Sequence, residues 1–149
     1  MDTKKIIGKL NHLLSIANDG KQGYENAAKD IKDVSLQQMF RQYSLERGRY
    51  AAELTHEINN LNGSPDKSGG PLGALHRVWM DIKAAITSGD RDAILTACIT
   101  GEEAAVKSYT EVLQDPMIVG RTYEIITHQL GGIYAALNTI RSLVPAVKS

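Results

Sequence analysis

Thiols are nearly absent from this chain: Cys98 is its one cysteine. It has no partner for an internal disulfide, and a chain with a single thiol suits a reducing compartment. An excess of either positive or negative charge is also missing. Lys+Arg and Asp+Glu number 17 each, for a formal net charge of zero, so the broad basic field of a non-specific nucleic-acid binder is excluded. No stretch approaches the roughly 18 apolar residues of a membrane span. The opening MDTKKIIGKLNHLLSIANDG has neither an unbroken apolar core nor a small-residue cleavage site, and it reads as an amphipathic helix rather than a secretory signal. The expected location is the cytoplasm. No segment has the two-residue period of a strand, and no internal repeat is visible. The glycine-rich stretch GSPDKSGGP (63–71) follows no strand and lacks a Gly-Lys-Ser/Thr ending, which argues against a phosphate loop.

What the chain does have is helical period. Ile6, Ile7, Leu10, Leu13, Leu14 and Ala17 share one face, and Tyr24, Ala27, Ala28 and Ile31 continue it in phase beyond Asn18-Asp19-Gly20. This predicts one long helix over 3–31 with a break or kink at Gly20. A second helix over 34–61 is capped by Asp33 or Ser35, turns Leu36, Phe40, Tyr43, Tyr50, Leu54 and Ile58 inward, and ends at Asn62-Gly63. A shorter amphipathic helix over 72–87 carries Leu72, Leu75, Trp79, Ile82 and Ile86. A helix over 91–114, capped by Asp90, buries Ile94, Leu95, Cys98, Ala105 and Tyr109. The last, over 117–143, follows a tight Asp115-Pro116 connection, with Pro116 suited to its first turn, and buries Val119, Tyr123, Ile126, Leu130, Ile133, Tyr134, Leu137 and Ile140. The first two long helices are joined tightly, as are the last two, so each pair forms an antiparallel hairpin. The helix between the hairpins is about 24 Å long, enough to return along most of the bundle. The expected architecture is all-α: a single domain over 1–149, a four-helix bundle with one long crossover, which is ferritin-like connectivity.

Four segments, GYENAA (23–28), LERGRYAAEL (45–54), GALHRVWMDIKAAI (73–86) and GEEAAVKSY (101–109), carry a resemblance. The chain resembles the bacterial ferritin-like four-helix-bundle proteins of domain-of-unknown-function family 2383 over nearly its whole length, most specifically in Leu-His-Arg-x-Trp of the crossover helix. The resemblance implies a ferritin-like fold and no agreed activity.

A di-iron carboxylate bundle needs an inward Glu from each of two helices and Glu-x-x-His from each of the other two. One formal match exists, Glu53-Leu-Thr-His56, with a looser pair at Glu124 and His128. At about 100° per residue, His56 lies about 160° from the apolar stripe of its helix, and Glu53 and Glu46 lie at the stripe's edge. Glu124 and His128 fall on the polar back of the last helix, as does His12 on the first. Facing inward instead are Arg47 and, on the fourth helix, Glu102, with Glu25 at the inner edge of the first. All six tyrosines, Tyr24, Tyr43, Tyr50, Tyr109, Tyr123 and Tyr134, fall on inner faces.

A buried charge is costly unless paired, so the expectation is a central polar core of Arg47, Glu102, Glu25, Tyr50 and Tyr109. The blander alternative has Arg47 snorkelling to solvent past Gly48 and Ala51. Cys98 reads as a buried small hydrophobe, and His76-Arg77 as a weak anion site or a flank. Functionally this gives a metal-free structural or binding module with no catalytic residue and no cofactor. Its expected partner is a second copy of itself in a homodimer, with no nucleic acid and no membrane span. The alternative is a di-iron oxidoreductase or iron-handling protein with a non-standard site drawn from Glu25, Glu46, Glu53, Glu102 and Glu103.

Overall fold

A computed structural model describes residues 2–66 and 74–145 of the chain, with side chains described from Thr3 and, in the crossover helix, from Arg77. Five helices follow in order: α1 (Asp2–Asp30), α2 (Val34–Asn60), α3 (Ala74–Ser88), α4 (Arg91–Leu113) and α5 (Gly120–Leu143). The expected start of the crossover helix at Leu72, and its His76 side chain, lie outside the described residues.

Local chemistry sets the helix ends. The Asp33 carboxylate accepts from the Leu36 N–H at 3.1 Å and starts α2. Asp90 accepts from the N–H groups of Asp92 and Ala93 and starts α4. At the end of α2, Asn62 takes the left-handed conformation at φ 63°. The Gly63 N–H then returns to the Ile58 carbonyl at 2.9 Å, closing the last turn. Pro116 does not open α5 as the sequence suggested. The Asp115 carboxylate takes the Met117 N–H at 2.9 Å and the Lys9 ammonium at 3.0 Å, which makes 114–119 a turn, and α5 begins at Gly120.

The expected break at Gly20 is also absent, for α1 runs unbroken. Gly20 is buried, and a Cβ there would stand 3.4 Å from Cγ and Nη1 of Arg47. The small residue makes room for a neighbour's side chain; it does not end a helix.

Helices α1 and α2 pack as one hairpin and α4 and α5 as another, and α3 lies across α1 and α4. The interior divides into two apolar clusters. One holds Leu10 to Ala17, Tyr50 to Ile58, Ala105 to Val112, and Ile126 with Ile133. The other holds Tyr24 to Ile31, Leu36 and Phe40, Val78 and Ile82, Ile94 to Cys98, and Ile140. Gly20, Arg47 and Glu102 each fall between the two clusters along their own helices. The polar layer therefore sits at mid-bundle, closed off by hydrocarbon on both sides.

Candidate functional site

Arg47 and Glu102 meet in this layer. Nη1 of Arg47 donates to Oε1 of Glu102 at 2.8 Å, and Nη2 donates to Oε2, a fork-to-fork pair joining α2 to α4. Arg47 is 2% exposed and Glu102 1% exposed. Arg47 does not snorkel. Its stem crosses Gly20, and its guanidinium carbon lies 5.7 Å from the centroid of the Tyr24 ring. Burial opposes the arginine's charge, but the Glu102 carboxylate outweighs it and holds the guanidinium protonated well beyond its ordinary range. Nε of Arg47 and the hydroxyl of Tyr24 are buried without a hydrogen-bond partner among the described residues.

A second polar group lies one layer away, around a residue the sequence reading missed. Gln129 of α5 is fully buried. Its Oε1 accepts the Tyr109 hydroxyl at 2.7 Å, and its Nε2 donates to the Tyr50 carbonyl at 3.2 Å and to Glu53 Oε1 at 2.9 Å. One amide thus ties α5 to both α4 and α2. Glu57, also missed, is buried at the end of the bundle, where Arg121 and Thr122 of α5 donate to its two oxygens.

The other expected site residues scatter. Tyr50 and Tyr109 are buried, and Tyr50 lies against α5 because Gly132 leaves space for its hydroxyl; a Cβ at Gly132 would fall 1.8 Å from it. Glu25 does not join the polar core. It is exposed at the surface of α1, 3.7 Å from Lys29 one turn on. Glu103 is exposed and paired with Arg141. Glu46 is half-buried beside Tyr50, and its Oε1 is buried without a partner of hydrogen-bonding geometry among the described residues. Glu53 reaches Gln129 from the surface, while His56, Glu124, His128 and His12 are exposed.

Tyr123 and Tyr134 are not core residues: they are 46% and 44% exposed, and Val119 is 65% exposed. The inner face of α5 is instead Ile126, Gln129, Ile133, Ala136, Leu137 and Ile140. That stripe is rotated by about 70° from one centred on Leu130, at 100° per residue.

The layer's electrostatics favour neutral phenols. Burial, then Glu102, raises the Tyr24 hydroxyl well above its ordinary range. Burial raises Tyr43 and Tyr109 as well, and burial with Glu46 pushes Tyr50 up to about 12. Cys98 is pushed up by burial and by Glu102, which leaves it a poor nucleophile. A group whose pKa is raised on folding contributes stability that is complete below its unfolded value and lost as pH climbs through the folded one. The fold is therefore expected to lose stability from about pH 10 upward. Tyrosinate absorbance of these four residues should rise together with the loss of helical circular dichroism; phenols that all ionise before the helices melt would contradict this arrangement.

A di-metal centre does not fit these side chains. Both Glu102 oxygens are committed to a guanidinium, the inner polar residue of α5 is a neutral amide, and among the described residues no carboxylate of α1 is buried. Among the described residues no three His, Cys, Asp or Glu side chains stand close enough to share an ion.

Comparison with known proteins agrees with the architecture. The profile of a family described as Domain of unknown function (DUF2383) matches residues 5–115. Among solved structures, the chain is similar to a ferritin-like, diiron-carboxylate protein from Bacillus anthracis str. Ames, with a TM-score of 0.78 and 15% sequence identity, over 97% of this chain and 99% of that one. At that identity the likeness shows the fold, which is ferritin-like. No curated protein matches.

Proposed function

The chain belongs to the DUF2383 family and has a ferritin-like fold, and from that premise we propose that it works without a metal, as a self-associating structural or binding module centred on its arginine–glutamate layer. The observation that carries this reading is the fork-to-fork contact of Arg47 with Glu102, both sealed from solvent. A ferritin-like bundle with metal gathers carboxylates around positive ions. Here the positive group at mid-bundle is a side chain, and it satisfies the one fully buried carboxylate of that layer. In this reading the layer fixes the register of one hairpin against the other, the best-attested use of buried polar groups. The whole chain acts as one domain, and a reducing cytoplasm suits its buried thiol.

A second reading draws on the likeness to a diiron-carboxylate protein: an iron-handling protein or oxidoreductase with a non-standard site. Its candidate ligands, Glu25, Glu46, Glu53, Glu102 and Glu103, are dispersed between surface and core, which weighs against it.

The two readings separate on metal content. Protein purified after growth with added Fe²⁺ is expected to hold far less than one iron per chain by elemental analysis. Stoichiometric iron, or a carboxylate-bridged absorption band lost in Glu102→Ala, would overturn the metal-free reading.

A further inference from the structure

We infer that copies of this chain assemble head to tail, with the outer face of α2 of one copy seated in the groove between α3 and α4 of the next. The inference rests on the self-association proposed above and gives it a geometry.

The groove has a volume of about 440 Å³. Val78 and Ala85 from α3, with Ala93 and Ala97 from α4, line it with small apolar surface, and Asp81 and Asp92 add a carboxylate from each helix. Neither carboxylate makes an ion pair among the described residues. The outer face of α2 has the complementary character. Leu45 is 73% exposed, more than any other large hydrophobic side chain described. Arg41 and Arg49 flank it one turn away on either side, both exposed and without an ion pair among the described residues. An apolar knob between two unpaired cations matches a small-residue groove with two unpaired anions, at a spacing of about 12 Å between the arginines.

A two-fold axis through either surface alone would set arginines against arginines or aspartates against aspartates, so each surface has to meet the other. Helix α2 packs on α1 and α5, whereas α3 packs on α1 and α4, so knob and groove belong to different helices on separate parts of the surface. Such a contact is heterologous and propagates into a chain or closes into a ring.

Mixing two singly blocked variants tests this. Leu45→Asp removes the knob, and Thr96→Arg puts bulk and a like charge on the exposed wall of the groove. Both positions are at the surface of their helices, so both variants should keep the helical content and melting temperature of the parent. In sedimentation velocity the parent should give species larger than a monomer that grow with protein concentration and shrink with added salt. Each variant alone should sediment as a monomer. An equimolar mixture should form a dimer and nothing larger, since each variant keeps one working surface. A parent that stays monomeric at millimolar concentration, a blocked variant that assembles like the parent, or a mixture that remains monomeric overturns the inference. The double variant Arg41→Glu/Arg49→Glu gives an independent reading: it too should be monomeric, and parent-like assembly overturns the charge pairing. Iron content bears on none of these outcomes, so failure here and failure of the metal-free reading are told apart.

Discussion

Glu102→Gln should lower the melting temperature by about 10 °C. The side chain keeps its shape and one acceptor, so the substitution leaves no cavity. What it removes is the negative charge opposite a guanidinium that is 2% exposed and crossed by the Tyr24 ring. Removing one partner of a buried ion pair costs about 3–5 kcal/mol, because the other is left charged in a low-dielectric interior. At this chain length each kcal/mol moves the midpoint by about 2–4 °C. Arg47→Met should cost a comparable amount for the converse reason, since it leaves Glu102 buried opposite hydrocarbon. The double variant Arg47→Met/Glu102→Leu should recover much of the loss, because two apolar side chains need no partner. Thermal unfolding followed by circular dichroism gives all three values. Two single variants as stable as the parent would show that the pair contributes nothing to folding. A double variant as unstable as the sum of the singles would show that the layer matters for packing rather than charge.

That pair was legible because its signal is strong. On α2 and α4 the aliphatic residues mark the stripe closely, and a charged residue near its centre has few places to go. The last helix misled for the opposite reason. Tyr123 and Tyr134 are amphipathic, at home on a stripe or beside it, and counting them as apolar drew the stripe toward Leu130. Ile126, Ile133, Leu137 and Ile140 alone would have put Gln129 among the buried positions and both tyrosines outside, as observed. Glu25 sits at the stripe's edge, where a helical wheel does not separate a buried carboxylate from one beside Lys29 at the surface. Glycines gave the least legible information. Gly20 looks like a helix breaker in sequence, yet it, Gly23 and Gly132 are contact points whose partners lie on other helices. A local signal carries no record of a partner at a distance of tens of residues.

The glycines also set up a comparison within one helix. Gly23→Ala should destabilise the protein and loosen α3, whereas Gly20→Ala should be neutral or stabilising. Both substitutions gain about 1 kcal/mol of intrinsic helix preference in the interior of α1. They differ in what the new methyl meets. At Gly20 it would touch Arg47 Cγ and Nη1 at 3.4 Å, an ordinary contact. At Gly23 it would enter the indole of Trp79, 2.1 Å from Cε3 and 2.4 Å from Cδ2. A rigid ring cannot yield by rotating one bond, and Trp79 is also held edge-on to Tyr24 at a centroid distance of 5.0 Å. The ring must lift, and α3 lifts with it. Overpacking of this kind costs about 1–3 kcal/mol, more than the helix preference returns. Trp79 is the one tryptophan in the chain, so its fluorescence reports the contact directly: Gly23→Ala should shift emission to the red, and Gly20→Ala should leave it in place. In a Trp79→Ala background the penalty at Gly23 should vanish, leaving the helix preference to show as a net gain over Trp79→Ala alone. Unshifted emission with parent-like stability in Gly23→Ala would mean that the crossover helix is not docked on α1 through this contact.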